Sequence, residues 1–189
     1  MKRRLLFIAS TLVLSACSNL GLPNPLPFGR DRAPVGPLSA PSPATDAYLR
    51  AAGESDLYEI TSSQLALQRT QDPRIRRFAT RVIAHHTSTT NALLKAAAAA
   101  GAAPPPVVLG PAKRAMIDEL NGQAGWGFDR LYLQQQATAH EEALAVHAGY
   151  AASGDTPPVR AAAAAAVPVV QRHLGEVRAM RFGMGGMGV

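Results

Sequence analysis

The chain has 189 residues, 47% of them hydrophobic, and carries 19 basic against 13 acidic side chains for a formal charge of +6. Its one cysteine cannot form an internal disulfide, and its length suits a single folded domain. The basic residues are not interleaved with aromatic ones, which argues against a nucleic-acid partner.

The chain opens with Lys2, Arg3 and Arg4, followed by an apolar run from Leu5 to Leu14. A short positive segment followed by a run too short to span a bilayer is the pattern of an export signal. Leu14-Ser15-Ala16-Cys17 then matches a bacterial lipobox, in which small residues flank the cut and the cysteine thiol takes up the lipid. Residues 1–16 are therefore expected to be a signal peptide, and Cys17 the lipidated N-terminus of the mature protein. Cleavage would leave 16 basic against 13 acidic residues, so the charge falls to +3. Ser18, rather than an aspartate, follows the cysteine. By similarity to known sorting behaviour, this points to the cell envelope, with the protein held to the outer membrane by the lipid on Cys17 and facing the periplasm.

Residues 17–43 follow as a tether, rich in proline from Pro23 to Pro43 and unable to build a core. The folded domain is expected over residues 44–181, and a glycine- and methionine-rich tail over residues 182–189. Alanine, leucine, glutamine and arginine dominate the domain, which favours helix throughout. A first helix is predicted from about Asp46 to Thr70, capped by Thr45. Asp72-Pro73 starts a second, which ends at Gly101 before Pro104-Pro105-Pro106. A third stretch begins near Pro111, with Asn121-Gly122 and Gly125-Trp126-Gly127 as interruptions, and continues as a strong helix from Phe128 to about Ala152. After the turn Gly154-Asp155-Thr156-Pro157, a last helix reaches about Met180, with a kink expected at Pro168. Short links between the first and second helices, and between the third and fourth, favour antiparallel pairs. The economical fold is all-α, an up-down four-helix bundle.

Three histidines fall mid-helix on three different helices. His86 lies on the stripe Ile75, Phe78, Ala79, Val82, His86, Thr89, Leu93, at spacings of three and four. His173 lies on a stripe with Val159, Ala162, Ala166, Val170 and Val177, and His140 shares a face with Leu133, Ala137, Leu144 and His147. Glu59 lies on a small-residue face of the first helix, with Ala52, Ser55, Ser62 and Ala66. One carboxylate and three imidazoles, one group per helix, is how bundles build interior sites for zinc, iron or copper. The same residues could equally satisfy one another in a structural hydrogen-bond network, since buried polar groups need partners. His85, His147 and Asp129 are candidates for a surrounding shell.

Several segments together resemble the bacterial domain-of-unknown-function family 4142, exported proteins with a ferritin-like bundle. They are Asp56-Leu57-Tyr58-Glu59, Ile75-Arg76-Arg77-Phe78-Ala79 leading to His85-His86-Thr87, Phe128-Asp129-Arg130-Leu131-Tyr132 before His140-Glu141, and Val167-Pro168-Val169-Val170 with His173-Leu174. The resemblance covers roughly residues 46–180 and implies the ferritin-like fold. Members usually carry an aspartate directly before the second- and third-helix histidines, where this chain has His85 and Ala139.

The resemblance invites di-iron chemistry, which requires Glu-x-x-His on two helices. Ile83, Ala137 and Val170 stand three residues before the three histidines, so a standard di-iron centre is disfavoured. No nucleophile triad or phosphate-binding loop is present. The sequence therefore favours a non-enzymatic envelope protein with a structural, stress-protective or binding role. A metal-binding bundle, redox-active or not, is the alternative. No protein partner is identifiable from it.

Overall fold

A computed structural model describes residues 40–185. Cys17, the signal peptide, most of the tether and the last residues of the tail lie outside them. Five helices form the domain: α1 (Pro43–Arg69), α2 (Pro73–Ala99), α3 (Pro111–Asn121), α4 (Gly125–Ser153) and α5 (Pro157–Gly185). Among the described residues there is no strand, and no helix is long and apolar enough to cross a membrane.

The long helices α1, α2, α4 and α5 form the bundle, in which α1 packs on α2 and α4, and α5 packs on the same two. Side-chain pairs fix the directions. Thr45 meets Tyr150 and Ser63 meets Tyr132, so α1 and α4 are antiparallel. Asp56 meets both His86 and Thr90, while His85 meets His173 and Arg81 meets Glu176. The last two pairs make α2 and α5 antiparallel, and the short links make α1–α2 and α4–α5 up-down hairpins. The link between the hairpins is a crossover carrying α3, so α2 and α4 run the same way across the bundle diagonal. A single long crossover is the connectivity of ferritin-like bundles.

Local chemistry sets the helix ends. α1 begins earlier than Asp46: the Ser42 hydroxyl accepts from Thr45 N at 3.1 Å, and Pro43 occupies the first turn. The Thr45 hydroxyl is instead shared among Tyr150, Asp155 and Thr156, which ties this end of α1 to the α4–α5 turn. Asp72 caps α2 as expected, accepting from Arg74 N at 2.7 Å. The crossover lies directly on α1 at Gly53, where a Cβ would stand 2.5 Å from Val107, and Gly110 N donates to Glu54 at 2.7 Å. α5 remains helical through Pro168 and continues to Gly185, burying Met184, so it includes part of the expected tail.

The interior has three layers. Ala66, Ile75, Phe78, Phe128, Tyr132 and Val177 belong to an apolar cluster toward the α1–α2 turn. Tyr48, Leu93, Ala97, Tyr150 and Val159 belong to a second, toward the α4–α5 turn. Between them lies a buried polar layer containing Asp56, Glu59, Ser62, His86, Gln136, His140 and His173. Burying such groups opposes folding unless each finds a partner.

Candidate metal centre

The polar layer exists because the stripes of four helices reach one level. α2 supplies His86, α4 supplies His140, and α5 supplies His173, all fully buried. His173 Nδ1 lies 3.3 Å from His86 Nε2 and 3.2 Å from His140 Nε2. One nitrogen from each of the three histidines lies within 4.8 Å of one from each of the other two. Phe78 underlies the group, its ring edge-on to His173 with centroids 6.0 Å apart.

The opposite nitrogen of each ring is also engaged. His86 Nδ1 is 2.7 Å from Asp56 Oδ1 and 2.7 Å from Glu59 Oε2. Asp56 is held in turn by the Thr90 hydroxyl, which donates to its other oxygen at 2.7 Å. His140 Nδ1 lies 2.8 Å from the Gln136 carbonyl, which can only accept, so that nitrogen carries the proton. His173 Nε2 lies 2.8 Å from His85 Nδ1.

The electrostatics divide the histidines. Burial alone would lower the pKa of His86, but Glu59 and Asp56 outweigh it and hold His86 up at about 10. Burial would raise Glu59, yet the neighbouring His86 and His140 bring it down to about 2. For His173, burial and the nearby His140, His86 and His85 act together and lower its pKa to about 3. Burial likewise lowers His140. His140 and His173 are therefore neutral imidazoles, each with a lone pair available.

The expected site residues separate into groups. His86, His140 and His173 converge. Glu59 joins them from behind: its oxygens face the Nδ1 atoms of His86 and His140, the latter at 3.5 Å, rather than the point where the three other nitrogens converge. Asp56, Glu59 and His86 Nδ1 form a second close trio, within the same 4.8 Å limit. A cation there would displace the proton that Asp56 holds on His86 Nδ1 and would leave the converging nitrogens of His140 and His173 unused, so the three-nitrogen side is the better ligand set. His85 lies at the outer end of His173. His147 lies in the direction of the second apolar cluster, its Nδ1 2.9 Å from Tyr48 Oη and its Nε2 buried without a partner among the described residues. Asp129 is not brought in. It stands near Thr70 and Asp72 at the α1–α2 turn, about 16 Å along α4 from His140.

Sequence reasoning missed Asp56, Thr90 and Gln136 as parts of the site. Their signals were present: Asp56 is three residues before Glu59, Thr90 four after His86, and Gln136 four before His140, all helical neighbours.

A family model described as a domain of unknown function, DUF4142, matches residues 32–180. No curated protein and no solved structure matches the chain.

Proposed function

The chain belongs to the DUF4142 family, and we propose that its bundle binds one transition-metal ion through His86 Nε2, His140 Nε2 and His173 Nδ1. One observation carries this reading: three imidazole nitrogens converge while the other nitrogen of each ring is engaged by a hydrogen-bond partner. Asp56 accepts from His86 Nδ1, the Gln136 carbonyl accepts from His140 Nδ1, and His173 Nε2 is paired with His85 Nδ1, while Glu59 adds its charge 2.7 Å from His86 Nδ1. Histidines that ligate metals characteristically donate their other N–H in this way, which fixes the tautomer and the ring plane.

A purely structural network accounts for these atoms less well. With the outer nitrogens protonated, the inner nitrogens of His140 and His173 carry lone pairs, while the raised pKa of His86 keeps its Nε2 protonated until a cation takes the proton's place. A proton on His86 Nε2 can join His86 to one neighbour at a time, which leaves a buried lone pair unsatisfied. A cation satisfies all three together. Nitrogens around a tetrahedral ion at 2.0–2.1 Å lie about 3.3 Å apart, close to the two spacings of 3.2 and 3.3 Å. The charge also agrees, since Asp56 and Glu59 together offset a divalent ion.

Imidazole ligands suit zinc, copper or iron. The residues that would complete a carboxylate-bridged pair of irons are missing from α2, α4 and α5, so a single ion is proposed. The protein is further proposed to act in the cell envelope, anchored by lipid on Cys17; the lipobox Leu14-Ser15-Ala16-Cys17 supports this placement. Elemental analysis of the full chain, purified without chelator, tests the metal reading. One equivalent of metal is expected, lost in His86→Ala/His140→Ala. No bound metal, or the same content in the variant, would overturn the proposal.

A further inference from the structure

The three converging histidines are sealed from solvent, but His85 is only half-buried. Its ring is coplanar with that of His173, at 1°, with centroids 5.0 Å apart. That is the geometry of an in-plane N–H···N bond rather than a stack. His85 thus has one nitrogen toward the polar layer, and its ring also lines a groove of about 210 Å³ between α2 and α5. The groove exists because its α5 wall is built from Ala162, Ala165 and Ala166, whose side chains end at Cβ.

The groove's polar groups share one character. Arg172 lines it and has no acidic partner among the described residues, although Arg81 and Arg178 nearby are paired with Glu176 and Glu141. Ser88 contributes a hydroxyl. If His173 donates to His85 Nδ1, the proton on the His85 ring is at Nε2, and that nitrogen is a donor. No carboxylate lines the groove, so the site combines an unpaired cation and hydrogen-bond donors with an apolar wall.

We propose that the groove between α2 and α5 binds a small organic monoanion, a short-chain carboxylate, with its charged end on Arg172 and His85 and its apolar end against the alanines of α5. Charge selects the carboxylate, because a guanidinium can grip both oxygens. The alanine wall favours a ligand with a few carbons over an inorganic oxyanion. The tautomer of His85 rests on the three-histidine reading; the groove, the free Arg172 and the alanine wall do not.

Butyrate and inorganic phosphate are the probes, each titrated into the full chain while side-chain NMR signals of Arg172 and the histidines are followed. Butyrate is expected to give saturable shifts at His85 and Arg172 and to bind at least tenfold tighter than phosphate. Arg172→Ala should weaken butyrate by about tenfold or more. Ala165→Leu, at an exposed position that fills the groove, should abolish binding while the helical circular dichroism is unchanged. Absence of saturable shifts, equal affinity for phosphate, or binding unchanged in Ala165→Leu would overturn the proposal. Repeating the titration after chelator treatment separates the two readings: butyrate binding by a protein that takes up no metal would refute the metal centre alone.

Discussion

Asp56→Ala removes the better-aligned acceptor of His86 Nδ1 without touching any of the three proposed ligands. Loss of such a supporting group typically costs 10–100-fold in metal affinity, or about 1.4–2.7 kcal/mol. Glu59 Oε2 already stands 2.7 Å from the same nitrogen, so the effect should lie near the lower end, about tenfold. Asp56→Asn should cost less than Asp56→Ala, because an amide carbonyl can still accept from His86 while its NH₂ group turns to the Thr90 hydroxyl. Removing both carboxylates in Asp56→Ala/Glu59→Ala should exceed the product of the single effects, since each substitutes for the other. Competition for zinc against a chromophoric chelator at fixed pH measures each step. Affinities within about twofold of the parent for all these variants would refute the supporting role given to the carboxylates.

Three further outcomes follow from the packing and the sequence. Phe78→Ala removes a fully buried ring beneath His140 and His173, and should destabilise the fold by about 3–5 kcal/mol in urea unfolding. Hydrogen bonds from Ser42 and Thr45 hold the Asp155 carboxyl down at about 2, so its stabilisation is complete above its ordinary pKa and is lost as pH falls toward 2. Thermal melts between pH 4 and 2 should therefore show a smaller pH-dependent loss in Asp155→Asn than in the parent. Cys17→Ser should abolish incorporation of labelled fatty acid, and labelling that persists would refute the lipid anchor.

The parts of this molecule legible in its sequence are those set by periodicity. The α2 stripe is buried at Ile75, Phe78, Ala79, Val82, His86 and Leu93, because a run at spacings of three and four has only one face to offer a core. His86, His140 and His173 could be found for the same reason: each interrupts an apolar stripe. Their common level could not be read, since it depends on how far the crossover lets the second hairpin slide along the first. Asp56 lies on the same turn of α1 as Glu59 and also reaches His86, but a three-residue spacing permits such a pair without requiring it. The first helix starts before Asp46 because Ser42 rather than Thr45 caps it, and only the fold gives Thr45 its other partners in Tyr150, Asp155 and Thr156. Asp129 failed as a site residue because three helical turns separate it from His140.

Anomalous diffraction from crystals of the full chain grown with zinc, collected at the zinc absorption edge, tests the central claim most directly. The predicted result is a single peak per chain inside the bundle, about 2.0–2.1 Å from His86 Nε2, His140 Nε2 and His173 Nδ1. A peak on the Asp56 and Glu59 side of His86, or no interior peak at all, would contradict it.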